Sequence, residues 1–455
     1  MLRVALNSAR PLSGAARDRA RRVRSTGMRK IAGLVMLVSA ALVGCTGLKV
    51  DTHPTASEED LYRSLYPYYA EYCAASQLKK KKGLGVDISS GIGGHSVFYL
   101  NGACRDRSAG YPTLKLCDET SPPDEDGVGL SVNAHYKNAN WVATSGRDFF
   151  YHGTLKPGQR LTREVYEDTL ATAERMGILD GVVFHREVFD DQPKGMSRER
   201  FMYEISVATD FALNFGRDRY CARVPLDREK MTRVIDYLNG LNAPYRDGTK
   251  SFDWDVLTNN CSHVTHNALA AAGIWDVWEM GRFLLIAAFD FPTPKNEFVN
   301  LMRRTNDGPL ADPDAVFADD AARQALMAGE GLPTQPGSLA QAEAAAHAND
   351  FYDTDLALIF YDEPLTGSYE QYFRQIFSEP RYTNLRANLA YFRDLYARIA
   401  HARRPLSGEA HDKAGAERDA FAAFYARYYA YIDRASATVN AALASLNASA
   451  AARQP

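Results

Sequence analysis

The chain has 455 residues, a formal net charge of −3, 46% apolar and 24% charged residues, enough length and apolar content for two domains with cores of their own. Its first 44 residues carry a net +8, which leaves about −11 on everything that follows. A surface that acidic argues against nucleic acid as a partner.

At the front, Met28, Arg29 and Lys30 form a short basic start, and residues 31–44 form one uncharged apolar run ending in Leu42-Val43-Gly44-Cys45. The run has the length of a signal-peptide h-region and is too short to span a bilayer. Residues 1–27, rich in Arg, make a long lead-in, so Met28 is an alternative start. Leu-Val-Gly-Cys resembles the lipobox of bacterial lipoproteins. That resemblance implies cleavage before Cys45, a diacylglyceryl group on its sulfur, and a chain held by lipid in the cell envelope, facing periplasm or exterior. An ordinary signal peptide with a chance cysteine is the alternative. No later segment has the length of a membrane span; the longest apolar run, Phe283 to Phe289, reads as core.

After the leader, Lys79 to Lys82 reads as a solvated charge cluster with some capacity for anionic surfaces. β-Branched and aromatic content predicts strands at Val97 to Leu100, Val128 to Ala134, Gly181 to Phe184 and Cys221 to Val224. Helices are predicted over Arg163 to Met176, between Thr162 and Gly177 as caps, and over Arg198 to Phe215, opened by Ser197. Residues 305–350, rich in Asp, Pro, Gly and Ala, read as linker-like. Beyond them Leu385, Leu389, Phe392, Tyr396 and Ile399, then Phe421, Phe424, Tyr428, Ile432 and Val439, recur at helical spacing. The Tyr425, Tyr428, Tyr429, Tyr431 stripe reads as packing, and the tail after Leu446 as frayed. The expected organisation is a leader (1–45), an α+β domain (46–304), a linker (305–350) and a helical module (351–455) suited to recruiting an envelope protein.

Six cysteines in an exported chain pose a disulfide question. With Cys45 lipidated, five remain, so at least one is free. The expected arrangement is Cys104 with Cys117, Cys73 with Cys221, and Cys261 free, against the alternative of several buried thiols acting as small hydrophobes.

The free cysteine stands in Thr258-Asn259-Asn260-Cys261-Ser262-His263-Val264-Thr265-His266, where small, helix-compatible residues run to Gly273. Cys261 is therefore expected at a helix N-terminus, where unsatisfied N–H groups and the dipole favour thiolate. His95 stands in Gly91-Ile92-Gly93-Gly94-His95-Ser96-Val97, a Gly-rich lead into a strand, and a histidine there can take a thiol proton and later return it. On the next predicted strand Ser131, Asn133 and His135 share one face; His135, or Asn133, is the candidate for orienting the imidazole.

His before Cys, with GGHSVFYLNG leading a strand and NNCSHVTHNALAAAG opening a helix, resembles the circularly permuted NlpC-like branch of the papain-like fold. The resemblance covers roughly Gly83 to Ile274. It implies a thiol amide hydrolase or a lipid acyltransferase/esterase, with Cys261 as nucleophile and His95 as base, acting on a peptide or lipid substrate. The third position varies among members and does not carry over. The long stretch between the motifs and the helical module depart from the small members. A metal reading competes, since His263 and His266 lie three apart on a helix, but the zincin glutamate is absent and no cofactor is implied. Arg147, Asp148 and His152 are candidates for lining a cleft. From another class, the same domain serves as a non-catalytic binding lipoprotein.

Overall fold

The computed structural model describes residues 43–46, 50–52, 54–89, 93–118, 121, 125–256, 259–278, 293–356, 358–361, 369–410 and 413–451. The basic start and most of the apolar leader, Phe283 to Phe289, and Gly91, Ile92 and Thr258 lie outside the described residues.

Ten strands are described: β1 (Val43–Thr46), β2 (Tyr68–Ala75), β3 (His95–Asn101), β4 (Ala103–Arg105), β5 (Leu114–Leu116), β6 (Gly127–Ser131), β7 (Val142–Ser145), β8 (Arg219–Leu226), β9 (Leu339–Glu343) and β10 (Leu358–Tyr361). The helices are α1 (Ala56–Leu65), α2 (Arg147–His152), α3 (Arg163–Met176), α4 (Arg198–Ser206), α5 (Arg228–Asn242), α6 (Cys261–Ala271), α7 (Pro294–Asn306), α8 (Pro313–Ala318), α9 (Asp320–Ala328), α10 (Tyr369–Ser378), α11 (Pro380–Thr383), α12 (Leu385–His401), α13 (Leu406–Glu409) and α14 (Gly415–Ala451). The class is α+β. Among the described residues no helix is long and apolar enough to cross a membrane.

Six strands form one antiparallel sheet in the order β7-β6-β3-β2-β8-β9. Strand alternation divides its residues between two layers. Tyr72, Phe98, Leu100, Leu130 and Ala222 face a core shared with Val264, Ala268 and Leu269 of α6 and Phe298 of α7. Tyr69, Cys73, Val97, Tyr99 and Cys221 face the other way, against Phe150 and Tyr151 of α2. Gly129 lets α2 come this close, since a Cβ there would lie 2.0 Å from the Phe150 ring. β1, which holds Cys45, pairs with β10, with Cys45 opposite Ile359.

Disulfides join Cys73 to Cys221, directly opposed on β2 and β8, and Cys104 to Cys117; Cys261 is free. α3 runs between the expected caps, with Thr162 accepting from the Val165 N–H and Gly177 left-handed at φ 61°.

Four local expectations differ. Residues 181–184 form no strand, only a bridge from Phe184 to Tyr136. β6 stops at Ser131 rather than Ala134. The helix from Arg198 stops at Ser206, where a buried turn takes over. Residues 305–350 are not a linker: Asp312 caps α8, Asp319 caps α9, Gly329 ends α9, and β9 then completes the sheet edge. The Asp, Pro and Gly that suggest a linker are helix punctuation.

The C-terminal helices behave as their periodicity requires. Leu389, Phe392, Tyr396 and Ile399 of α12 share one core with Phe421, Phe424, Tyr428, Ile432 and Val439 of α14. Tyr425 and Tyr429 are buried in that core and Tyr431 packs against it, while α14 itself continues through Ala451.

Candidate functional site

The site is built where β3 begins, beside the start of α6. Asn260 caps α6, its Oδ1 accepting from the N–H groups of Ser262 (2.8 Å) and His263 (3.1 Å). His263 Nδ1 in turn accepts from the Asn260 N–H at 3.3 Å. The first-turn amides of Ser262 and His263 are thus spent on the cap, which does not engage the Cys261 N–H.

Cys261 Sγ accepts a hydrogen bond from the Ser96 N–H at 3.3 Å. A chain of hydroxyls holds that approach. Tyr72 gives its proton to the Pro294 carbonyl (2.9 Å), so it accepts from Ser96 Oγ (2.8 Å), which accepts from Ser262 Oγ (2.6 Å). Strand β3 and helix α6 are fixed to each other beside the sulfur.

His95 stands one residue before Ser96. Its Nε2 lies 3.0 Å from Ser131 Oγ, whose own proton goes to the Thr209 carbonyl at 3.0 Å. Ser131 therefore accepts from Nε2–H, which leaves Nδ1 as the basic nitrogen. No hydrogen bond joins Cys261 to His95. The two groups share one end of the sheet, each held by its own partner.

The group on His95 is thus Ser131, neither His135 nor Asn133. The expected strand supplies it, but two residues earlier. Past the end of β6, Asn133 Nδ2 donates to the Asp210 carboxylate (3.1 Å) and His135 stacks against Phe184, centroids 6.0 Å apart. The His135 pKa is lowered by burial, assisted by His185 and opposed by Asp210.

Two groups that sequence reasoning missed complete the surroundings. The turn after α4 contains Ala208 (φ 59°) and Ala212 (φ 52°), the non-glycine residues of positive φ among those described, and it delivers the Thr209 carbonyl and the buried Asp210. Such backbone is strained and collects at functional sites. Arg217, 1% exposed, sends Nε to the Ala208 carbonyl (2.6 Å) and Nη1 to the Ser76 carbonyl. Neither carries a sequence signal, because each matters only through its neighbours in space.

Burial and charge keep the thiol and the imidazole of this site neutral at rest. Burial, then repulsion from Arg217, pulls the His95 pKa down to about 3, with the Thr209 carbonyl opposing. Burial also pushes the Cys261 thiol up, outweighing the Ser96 hydrogen bonds that favour thiolate. The helix terminus was expected to favour thiolate; with Cys261 8% exposed, loss of water around the charge is the larger effect.

The remaining candidates are engaged elsewhere. His266 is held on both nitrogens, by Glu297 (2.7 Å) and the Asp276 carbonyl (3.0 Å), with its ring stacked on Trp275. Lys80 is not solvated but pairs with Glu204 inside the fold (3.0 Å), while Lys79 pairs with Asp353 and Lys81 donates to the Asn349 carbonyl. Arg147 pairs with Glu71, and His152 with Glu343, in the opposite layer. A cavity of about 560 Å³ lies there too, lined by Glu59, Tyr62, Arg223, Gln341, Leu385 and Arg386, and away from Cys261. The chain matches no family model, no curated protein and no solved structure.

Proposed function

We propose that this protein is a lipid-anchored cysteine hydrolase of the cell envelope that cleaves an amide bond. The observation that supports it most is the placement of a free cysteine at a helix N-terminus beside a histidine whose Nε2–H is committed to Ser131, leaving Nδ1 to accept a proton.

The thiol proton passes to His95 Nδ1 and Sγ attacks the carbonyl carbon. The C–S bond forms as the carbonyl π electrons move onto oxygen, beside the Cys261 N–H. Collapse breaks the C–N bond, and His95 returns its proton to the leaving amine. Water then attacks the thioester, passing a proton to His95 and on to the departing sulfur, which releases a carboxylic acid and restores the thiol. The burial that holds both groups neutral requires that substrate binding reorganise their surroundings.

The substrate class follows from the envelope location that the lipobox implies: a peptide or isopeptide amide of the cell wall. Acyl transfer to or from lipid uses the same thioester. One observation favours a binding role without catalysis: the site holds a neutral thiol and a neutral imidazole with no hydrogen bond between them.

Zymography on peptidoglycan, beside release of fatty acid from phospholipid vesicles, tests the reading with wild type, Cys261→Ala and His95→Ala. Clearing that is lost in both variants is the expected result. Fatty-acid release without clearing would move the assignment to lipid. Cellular function that survives Cys261→Ala would leave the binding role in its place.

A further inference from the structure

Several buried cations in this fold have carboxylate partners: Lys80 has Glu204, Arg223 has Glu71 and Glu59, and Arg219 has Glu343, while Arg105 is held by the Met176 and Gly177 carbonyls. Arg217 is of the second kind. It is as buried as Arg223, yet among the described residues its hydrogen bonds go to two carbonyls, those of Ala208 and Ser76, and it forms no ion pair. A buried charge without a counter-charge is costly, and carbonyl dipoles offset only part of that cost.

Its anchors define where the charge sits. Ser76 follows Ala75, which lies opposite His95 in the β2–β3 register. Ala208 precedes Thr209, whose carbonyl takes the Ser131 proton. The guanidinium is therefore clamped between the end of β2 and the strained turn, at the end of the sheet where Cys261 and His95 meet. The ionisable groups around it are His95 on β3, Asp210 on the turn, Tyr352 after β9 and Cys261 on α6. Tyr72 on β2 also faces the sulfur, with Glu297 of α7 behind it. Asp210 accepts from the neutral Asn133 amide and acts on Arg217 through space, so among the described residues the sulfur and the Asp210 carboxylate are groups here without a hydrogen bond to a cation.

We propose that Arg217 is a positioning residue whose fixed positive charge, rather than an imidazolium on His95, is the lasting partner of the Cys261 thiolate. The proposal rests on reading Cys261 as the nucleophile. His95 then carries the proton only in transit, and Arg217 stays protonated throughout. The depression of His95 comes first from burial and then from the same placement, since a second cation beside Arg217 is disfavoured. Burial lowers Arg217 itself to about 10, still charged near neutrality.

The test is the pH dependence of iodoacetamide alkylation in the full chain, for wild type, Arg217→Met, Arg217→Lys, His95→Gln and Cys261→Ser. Alkylation should vanish with Cys261→Ser. Arg217→Met should move the midpoint up by about one unit, which is about tenfold slower reaction at a fixed pH below it. Arg217→Lys should stay near wild type, and His95→Gln should not raise the midpoint. An unchanged midpoint in folded Arg217→Met overturns the proposal, as does a midpoint raised only by His95→Gln. If Arg217→Met does not fold, NMR of the wild type decides: the guanidinium nitrogens of Arg217 must titrate with the Cβ of Cys261, and an unmoving guanidinium overturns it. Failure of the hydrolase reading looks different, as turnover that ignores Cys261→Ala whatever the midpoint does.

Discussion

The α2 layer of the central sheet and the sheet end beside Cys261 handle buried polarity in opposite ways. On the α2 side, Glu71 is fully buried and accepts from Arg223 Nε (2.6 Å), Arg147 Nη2 (3.1 Å) and Tyr151 OH (2.7 Å), while Arg223 also reaches Glu59 (2.9 Å). Burial alone would raise the Glu71 carboxyl; Arg147 and Arg223 hold it far below the usual range instead. At the sheet end beside α6 the buried groups around the sulfur are hydroxyls, the thiol itself and, from the face it shares with Val97, the His95 imidazole, with a guanidinium nearby that forms no ion pair among the described residues. The first arrangement is closed, each charge answered by another, and its role is structural. The second has capacity left over, which is where chemistry is to be sought.

That contrast can be broken in order of expected effect. Glu71→Gln leaves Arg147 and Arg223 without their shared anion and should cost about 3–5 kcal/mol in denaturant unfolding, the size seen when one partner of a buried pair is removed. A loss below about 1 kcal/mol would mean water reaches that layer. Next comes acid sensitivity at the site. The His95 value falls from 6.5 unfolded to about 3 folded, so the unfolded state binds more protons across that window and stability declines as pH falls through it. Stability measured against pH should flatten there in His95→Gln, by on the order of 3 kcal/mol at the acid end. An equal slope in the variant would place the imidazole in water.

Smaller effects sharpen the picture. Ser131→Ala removes the acceptor for Nε2–H and should cost about 1–2 kcal/mol, with slower turnover from loss of the fixed tautomer. Unchanged kinetics in a folded Ser131→Ala protein would remove Ser131 from the site. Asp312→Ala tests whether the Pro- and Gly-rich stretch is integral. Its carboxylate accepts from the N–H groups of Asp314 and Ala315, both at 3.0 Å, so about 1 kcal/mol should be lost in thermal unfolding. No change would return that stretch to the status of a spacer.

Signals that act over a few residues were legible in the sequence. Thr162 and Gly177 bound α3, the small residues after Cys261 form α6, and the aromatic and leucine periodicity of α12 and α14 is the periodicity of their shared core. Cysteine counting left at least one thiol free, and the choice of Cys261 for it agrees with the two disulfides. Capping, helical period and pairing arithmetic need no knowledge of the rest of the chain.

Other features depend on groups far apart in sequence. β6 ends at Ser131, so the partner of His95 is a serine two residues before the asparagine that alternation also offered. The turn that ends α4 has no glycine or proline to announce it, because surrounding contacts hold Ala208 and Ala212 at positive φ. Arg217 reads as one more charged residue until the fold buries it beside Ser76 and Ala208. The state of Cys261 was settled the same way: a helix terminus favours thiolate over one turn of backbone, but exclusion of water by the whole domain raises the thiol. Local sequence specified which groups could react, and only tertiary burial decided their protonation and their partners, because desolvation is a property of everything packed around a charge.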